Sequence, residues 1–344
     1  MAQKHKGIAR LGSFKVAILG GGSWGTTIAS LINRDHEAVL WARDSATVDE
    51  INQHHRNSRY LGDLPLHPHL TATTQLESAL SGASAVLVAI PSSHFRSTLE
   101  SSRTLIAAGV PIVSLSKGLE RESGLRMTQI IEALCPDNPA GVLTGPNLAR
   151  EILAGKAAAS VLALTDASAA KVLRAALDVG LFRVYTNDDV IGCELGGVFK
   201  NIIAIAVGMG DGLGAGDNTR AALITRGLAE MTRLGVALGG QAETFAGLAG
   251  MGDMIATCTS PQSRNRHVGI ELAKGYALEH IIDAMHMVAE GVKSAPTVIE
   301  LARARQVPVP LTEDVYAVLQ GRANPRSVYR SLLRVSAGAE SEPG

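Results

Sequence analysis

The sequence predicts an α/β protein in which a doubly wound, mostly parallel sheet is followed by an all-α domain. Between residues 14 and 188, short β-branched apolar runs alternate with longer segments of helical periodicity. After Asp188 the strand pattern stops, and apolar residues recur at helical steps, as in Ile191, Leu195 and Val198. Near-continuous apolar strands separated by helices indicate a parallel sheet that is covered on both faces.

Seven short runs carry the strand prediction. They are "FKVAIL" (14–19), "AVLW" (38–41), "AVLVAI" (85–90), "PIVSLS" (111–116), "AGVLTG" (140–145), "ASVLAL" (159–164) and "LFRVYT" (181–186). Because 344 residues exceed the usual size of one core, we expect domains at 1–188 and 189–335, with a disordered tail at 336–344. The glycine-rich stretch at 208–218 predicts a mobile loop between two helices.

Composition narrows the function classes. The 32 basic and 32 acidic residues leave no net charge that would attract nucleic acid or an anionic membrane. An apolar signal segment and an apolar run of roughly eighteen residues are both missing, so we expect a cytoplasmic protein without stable membrane insertion. The three cysteines lack the spacing of a metal site and fit buried thiols, and they are Cys135, Cys193 and Cys258. We also expect that the protein can form a homodimer.

Gly20, Gly22 and Gly25 form a G-x-G-x-x-G pattern directly after the first predicted strand. The segment that follows, "SWGTTIASLINR", has helical periodicity, so its first N–H groups and the helix dipole would point at a diphosphate. A flexible turn is the alternative interpretation. The position between a strand and a helix favours dinucleotide binding in a Rossmann-like domain.

The end of the second predicted strand bears on the choice of cofactor. In such folds an acidic residue there bonds the ribose of NAD, whereas a basic residue accommodates the 2′-phosphate of NADP. Arg43 occupies this place and slightly favours NADPH, while Asp44 beside it leaves the use of NAD open. An ordinary exposed arginine is the alternative interpretation.

Polar residues follow two further strands, where doubly wound sheets bind their ligands. Lys117 lies in a Ser-Lys-Gly turn after a buried strand, and Gly145, Pro146 and Asn147 follow another strand. A solvated lysine is the alternative, but the preceding apolar strand places Lys117 at the mouth of the crevice.

Lys200 and Asn201 lie in an otherwise apolar predicted helix. Gly196 and Gly197 lie on the same helix face as Lys200, so we expect them to make room for a ligand beside its ammonium group. A lysine that extends to solvent beside a close helix contact is the alternative. Asp253 follows in a glycine-rich turn. A nearby polar cluster suits an anion or caps the next helix, and it consists of Ser263, Arg264 and Asn265.

Seven motifs, in this order and spacing, resemble the bacterial NAD(P)-dependent glycerol-3-phosphate dehydrogenases. They are "GGGSWGT", "SKGLE", "LTGPN", "FKNIIAIAVG", "GLAGMGDMIATC", "SRNR" and "MVAEGV". The resemblance covers roughly residues 14–335. It implies reversible reduction of dihydroxyacetone phosphate to sn-glycerol 3-phosphate with NAD(P)H, a reaction that supplies phospholipid synthesis.

The resemblance also implies roles for individual residues. Cofactor contacts would come from Ser23, Trp24, Arg43, Tyr60, Ala149, Val288 and Glu290, and from Lys117 and Arg264. The phosphorylated substrate would be surrounded by Lys117, Gly145, Asn147, Asp253, Ser263, Arg264 and Asn265, with Lys200 as the proton acceptor. We expect Lys117 to polarise the substrate, Asp253 to bond a lysine or a substrate hydroxyl, and Arg264 and Asn265 to bind the phosphate.

Small departures and two rival functions accompany this interpretation. Asn147 stands where the family often has a hydroxyl residue, Leu148 where Phe is usual, and "RYLGD" lacks the family's proline. One rival is a β-hydroxyacid or 6-phosphogluconate-type dehydrogenase, against which "SKGLE" and "SRNR" argue. The other is a non-catalytic nicotinamide-binding sensor, against which the retained lysines, Asp253 and Arg264 argue.

Overall fold

A single eight-stranded sheet forms the N-terminal half of the protein, whose computed structural model describes residues 14–285 and 289–327. The strand order is β3-β2-β1-β4-β5-β6-β7-β8, and every neighbouring pair is parallel except β6 and β7. The strands are β1 (Lys15–Leu19), β2 (Glu37–Trp41), β3 (Thr71–Thr73), β4 (Ala85–Val88), β5 (Ile112–Ser114), β6 (Ala140–Thr144), β7 (Ala158–Leu164) and β8 (Phe182–Asn187).

Sixteen α-helices occur in the described part of the chain, together with a short 3-10 helix at Arg103–Leu105 and a π-helical turn at Leu248–Gly252. Eight of them accompany the sheet: α1 (Ser23–Ile32), α2 (Ser45–His54), α3 (Ser58–Leu61), α4 (Leu76–Leu80), α5 (Ser92–Ser102), α6 (Met127–Leu134), α7 (Ala149–Leu153) and α8 (Ala167–Leu177). The others form the C-terminal half: α9 (Val190–Gly212), α10 (Asp217–Ala237), α11 (Ala242–Ala246), α12 (Asp253–Thr259), α13 (Arg264–Ala273), α14 (Leu278–Ala284), α15 (Glu290–Ala304) and α16 (Pro310–Leu319).

The predicted fold class is confirmed, and each of the seven predicted strand runs overlaps a strand. The strand that the sequence did not reveal is β3, which has only three residues, "TAT", and lies at the sheet edge beside β2. Its threonines do not form the apolar run on which strand prediction relies. The antiparallel pairing of β7 was likewise not visible in its composition.

The strand order reverses at β1, which lies between β2 and β4. In doubly wound sheets the crevice at such a reversal receives the ligand. A Cβ added at Gly20, just after β1, would lie 2.4 Å from the carbonyl oxygen of Ala89, just after β4. Only glycine therefore allows the two strand ends to approach this closely.

The central helix of the C-terminal half is α9, whose apolar side chains lie in the main core of that half. By length and composition α9 is the one helix among the described residues that would suffice to cross a membrane, with a mean hydropathy of 1.7 over its most apolar window. Since 89% of that window is buried within the protein, α9 is a core helix here.

The glycine-rich stretch at 208–218 is not the loop that the sequence predicted, because its first half is the last part of α9. A Cβ added at Gly208 would lie 2.0 Å from the Arg266 carbonyl oxygen, and one at Gly269 would lie 2.1 Å from the Ile205 carbonyl oxygen. These glycines let α9 and α13 approach backbone to backbone. Close helix packing, rather than chain flexibility, explains the glycine at position 208.

A buried carboxylate joins the two halves. Glu194 of α9 accepts a hydrogen bond from the Thr128 N–H at 3.0 Å and pairs with Arg126, so it caps the start of α6. Burial raises the pKa of Glu194, and Arg126 opposes that rise. The contact ties α9, which carries Lys200, to the helix between β5 and β6.

We expect Gly269→Ala to lower the free energy of unfolding by about 3 kcal/mol, because the added methyl group overlaps a backbone carbonyl that cannot rotate away. Gly216→Ala is the matched control, since nothing lies within 4 Å of a Cβ at that position, and it should cost less than about 1 kcal/mol. Urea denaturation of both variants measures the difference. Equal effects would show that α9 and α13 do not depend on this close approach.

Candidate active site

Three charged side chains from different elements meet at the junction of the sheet and the helical half. Lys117 follows β5, Lys200 lies in the middle of α9, and Asp253 begins α12. Lys117 Nζ donates to Asp253 Oδ2 at 2.6 Å, and Lys200 Nζ donates to Asp253 Oδ1 at 2.8 Å. One carboxylate thus bridges both predicted catalytic lysines, and the structure brings together all three residues assigned to catalysis.

Further bonds fix the two ammonium groups. Lys117 Nζ also donates to the Gly145 carbonyl oxygen at 2.8 Å, and Lys200 Nζ donates to Thr257 Oγ1 at 2.6 Å. Thr257 Oγ1 in turn donates to the Asp253 carbonyl oxygen at 2.7 Å. Thr257 is not among the residues predicted from the sequence. The signal that could have found it is its four-residue spacing from Asp253, which places both residues on one face of α12.

The three side chains are largely shielded from solvent, and Lys200 is 6% exposed and Asp253 2% exposed. The pKa of Lys117 is lowered to about 8, mainly by burial; Asp253 opposes this lowering and the nearby charge of Lys200 adds to it. The ammonium group of Lys117 therefore loses its proton within the range of ordinary buffers.

Gly196 and Gly197 do not serve the purpose that the sequence suggested, which was to make room for a ligand. A Cβ at Gly196 would lie 2.7 Å from the Ala249 carbonyl oxygen, and one at Gly197 would lie 3.1 Å from Thr144 Oγ1 and 3.4 Å from Lys117 Cγ. Gly196 admits the π-helical turn that leads to Asp253, and Gly197 admits Thr144 beside the stem of Lys117. They assemble the site by allowing protein segments to pack against α9.

The polar cluster at the start of α13 has mixed roles. Ser263 Oγ accepts from the Arg266 N–H at 3.2 Å, so Ser263 is the N-cap of α13, as the alternative interpretation held. Asn265 Nδ2 donates to Asn201 Oδ1 at 2.8 Å, and Asn265 Oδ1 accepts from the Gly291 N–H at 3.0 Å. Arg264 is exposed, and surrounding protein atoms lower the pKa of its guanidinium while Glu290 opposes that shift.

Asn201 connects this cluster to the sheet. Its Nδ2 donates to the Lys117 carbonyl oxygen at 3.2 Å and to the Gly197 carbonyl oxygen at 3.1 Å. A continuous chain of bonds therefore runs from the Lys117 turn through Asn201 and Asn265 to the start of α15.

The glycine loop has the geometry that a diphosphate requires. Gly20 has a φ of 126°, and a Cβ at Gly25 would lie 2.0 Å from the Gly20 carbonyl oxygen. Gly22 caps α1 without a side-chain hydrogen bond, and nothing lies within 4 Å of a Cβ there. The first N–H groups of α1 are thus accessible to an anion at a helix N-terminus.

At the end of β2, the structure separates the roles of two neighbours. Asp44 caps α2 and accepts from Thr47 Oγ1 at 2.7 Å, a bond that lowers the pKa of Asp44. Arg43 is exposed. The aspartate that left NAD open in the sequence analysis is therefore occupied in a helix cap, whereas Arg43 faces solvent.

The other residues predicted to contact the cofactor lie around the same crevice. Ser23 and Trp24 begin α1, and the ring of Trp24 packs at 5.9 Å against that of Phe182. Ala149 begins α7, and its carbonyl oxygen accepts from Thr27 Oγ1 at 3.4 Å. The first contact packs α1 against β8, and the second bonds α1 to α7.

Three more predicted residues have specific surroundings. Tyr60 lies in α3, and the guanidinium carbon of Arg59 lies 5.4 Å from the centroid of the Tyr60 ring. Asn147 Nδ2 donates to Ser160 Oγ at 3.0 Å, while its buried Oδ1 has no partner. Glu290 begins α15 and bonds Ser92, whereas Val288 lies outside the described residues.

The cysteines are free and buried, as predicted, and burial raises the pKa of each thiol. No group of three or more histidine, cysteine or carboxylate side chains suited to a metal ion occurs within residues 14–285 and 289–327.

Comparison with known proteins matches the chain to one family over both halves. The model of the NAD-dependent glycerol-3-phosphate dehydrogenase N-terminus matches residues 15–170, and that of the C-terminus matches residues 189–330. "Glycerol-3-phosphate dehydrogenase [NAD(P)+] 2" of Sphingopyxis alaskensis is 59% identical over 330 residues, covering 96% of this chain and 99% of the relative.

More distant relatives and a solved structure agree. "Glycerol-3-phosphate dehydrogenase [NAD(P)+] 1" of Mycobacterium tuberculosis is 50% identical over 327 residues, which are 95% of this chain and 96% of the relative. The crystal structure of glycerol-3-phosphate dehydrogenase from Coxiella burnetii superposes with a TM-score of 0.89 at 39% identity, covering 94% of this chain and 99% of that one. The bridged lysines, the glycine loop and these end-to-end matches agree, and this chain belongs to the NAD-dependent glycerol-3-phosphate dehydrogenase family.

Proposed function

We propose that this chain catalyses the reversible reduction of dihydroxyacetone phosphate to sn-glycerol 3-phosphate with NAD(P)H. The observation that carries the proposal is the Asp253 carboxylate that bridges Lys117 and Lys200 beside the glycine-loop crevice. Family membership and the names of the relatives support the same substrate.

The residues around the crevice fit a nicotinamide dinucleotide, which when bound supplies the hydride for the carbonyl carbon. Gly20, Gly22 and Gly25 let the first N–H groups of α1 face its diphosphate. Arg43 would pair with a 2′-phosphate, which is why we favour NADPH slightly over NADH. The further cofactor contacts are proposed by family resemblance, and they are Ser23, Trp24, Tyr60, Lys117, Ala149, Arg264, Val288 and Glu290.

The two lysines have different proposed roles. Lys200 gives a proton to the carbonyl oxygen in the reduction and takes it back in the oxidation, while Lys117 polarises that oxygen with its positive charge. Asp253 holds both ammonium groups in place through its two oxygens. Gly145, whose carbonyl oxygen accepts from Lys117 Nζ, and Asn147 are the further proposed substrate contacts.

The substrate phosphate is a dianion that must give up its hydration shell on binding, so hydrogen-bond donors of the protein have to replace that water. Arg264 offers a bidentate guanidinium, and Ser263 adds a hydroxyl. Asn265 already bonds Asn201 and Gly291 through its amide, so we assign it one remaining Nδ2 proton for the phosphate.

We further propose that residues 1–188 bind the dinucleotide and that residues 189–335 supply the remaining substrate and catalytic groups. The enzyme would act on its small phosphorylated substrate in the cytoplasm, without nucleic acid or stable membrane insertion. Its product would supply phospholipid synthesis, and a homodimer is the proposed assembly.

The proposal is tested by following absorbance at 340 nm with dihydroxyacetone phosphate and NADPH or NADH. We expect turnover with both cofactors. Turnover of a hydroxy acid without turnover of glycerol 3-phosphate would establish the rival dehydrogenase, and bound cofactor with no turnover of any substrate would establish the sensor.

Lys200→Ala should lower kcat by about 10²–10⁴-fold, because the general acid is lost. The dissociation constant for NADPH should stay within about twofold, and α9 should persist because alanine is a strong helix former. Lys274→Ala, which removes an exposed lysine paired with Glu271, should leave kcat unchanged. A near-normal kcat for Lys200→Ala at saturating substrate would place the proton donor elsewhere.

Arg43→Ala should raise KM for NADPH by roughly 10- to 100-fold and leave KM for NADH nearly unchanged, because it removes a charge-assisted contact to the 2′-phosphate. Arg56→Ala is the control, since Arg56 is an exposed arginine of the same domain that pairs with Asp63. Steady-state kinetics with both cofactors measures the effect. Equal losses for NADPH and NADH would contradict the assignment.

The rate of dihydroxyacetone phosphate reduction should depend on the proton of Lys117. Below its pKa of about 8 the ammonium is charged and polarises the substrate, and above that pH the charge is lost. We therefore expect kcat/KM for reduction, which reports the free enzyme, to fall about tenfold per pH unit above pH ~8. A profile that stays level up to pH ~10, in buffers of constant ionic strength, would contradict this role.

A further inference from the structure

Ser92 of the sheet half and Glu290 of the helical half are joined by two hydrogen bonds that have no part in the proposed proton transfer. Ser92, the first residue of α5, donates its N–H to Glu290 Oε1 at 3.2 Å and its hydroxyl to Glu290 Oε2 at 2.8 Å. Ser92 is 4% exposed, and it lies 198 residues from Glu290 in the chain. Both oxygens of the Glu290 carboxylate are thus held by one residue of the sheet half.

The pair packs against the turn that carries Lys117. A Cβ added at Gly118 would lie 2.5 Å from Ser92 Oγ and 2.8 Å from Glu290 Oε2. Only a glycine after Lys117 therefore leaves room for the contact. The same turn is bonded from the other side by Asn201 Nδ2 through the Lys117 carbonyl oxygen.

Electrostatics favour this position of the carboxylate. The N-terminus of α5, an eleven-residue helix, carries partial positive charge and stabilises an anion there. Glu290 also attracts Arg264 electrostatically, since it opposes the lowering of the arginine pKa. Two positive partners thus compete for one carboxylate, and the two bonds from Ser92 decide where it lies.

We propose that Ser92 is a positioning residue for the cofactor: it fixes the Glu290 carboxylate at the start of α5, where Glu290 meets the dinucleotide. This inference rests on the proposed function, in which Glu290 contacts NAD(P)H. Without the Ser92 hydroxyl, the Glu290 carboxylate keeps only the Ser92 N–H bond and the helix N-terminus, so attraction to Arg264 displaces it more easily and both groups become less available to their ligands. The bridged lysines are untouched, so binding suffers and proton transfer does not.

The test begins with the dissociation constant for NADPH, measured by cofactor fluorescence in the absence of substrate. Ser92→Ala should raise it about tenfold, because a hydrogen bond to a charged group is lost. The kcat at saturating cofactor should change less than about twofold. Ser93→Ala is the matched control, since the neighbouring hydroxyl is exposed, contacts Lys293 and does not touch Glu290. An unchanged dissociation constant for Ser92→Ala would overturn the inference.

A double-mutant cycle with Glu290→Ala separates positioning from general damage to the fold. If Ser92 acts through Glu290, Ser92→Ala should have almost no further effect on NADPH binding in the Glu290→Ala background. The same tenfold loss in both backgrounds would overturn the inference, because the serine would then act without the glutamate. Reduction of dihydroxyacetone phosphate by the wild type is a separate readout. If the wild type binds NADPH but does not reduce dihydroxyacetone phosphate, the proposed function is overturned. The double-mutant cycle still tests the role of Ser92, because it measures NADPH binding alone.

Discussion

The buried carboxylate of Asp253 is the group on which the arrangement of the site depends. It accepts from Lys117 on the sheet side and from Lys200 on the helical side at 2.6 and 2.8 Å. An isolated ammonium group is costly to bury, and the Asp253 carboxylate offsets part of that cost for both lysines. Because two ammonium groups share one carboxylate, the cluster keeps a net positive charge that suits an anionic substrate. Burial, together with the nearby charge of Lys200 and against the effect of Asp253, places the pKa of Lys117 at about 8.

Glycine packing around α9 makes that arrangement possible. Gly196 lets the π-helical turn before Asp253 lie against α9, and Gly208 lets α13 approach with Arg264 and Asn265 at its start. A helix with interior glycines is intrinsically weaker by about 1 kcal/mol for each one. Here the loss is offset by close packing in a core that buries nearly all of α9. The helix thus places Lys200 in the core while the π-helical turn and α13 converge on it.

Hydrogen bonds between the two halves position the proposed cofactor site relative to the catalytic lysines. Glu194 caps α6 from α9, Asn201 bonds the Lys117 turn, and Glu290 bonds Ser92 at the start of α5. Each of these three residues comes from the helical half and satisfies a polar group of the sheet half. The position of the proposed nicotinamide site relative to the lysines therefore depends on hydrogen bonds, which impose direction, as well as on apolar packing, which does not.

The sequence by itself determined what local patterns encode. Period and composition identified seven strands and the change to helices after Asp188, and position after a strand identified the glycine loop, Arg43 and Lys117. The tertiary structure alone decided which groups meet. It revealed β3, whose "TAT" needs a neighbour to become a strand, and it turned Asp44 and Ser263 into helix caps. It also showed that Gly196 and Gly197 admit protein segments and not a ligand, and that Thr257 and Ser92 complete the contacts of Lys200 and Glu290. The physical reason is that periodicity arises within a few neighbouring residues, whereas a hydrogen bond across 198 positions exists only after both halves have packed.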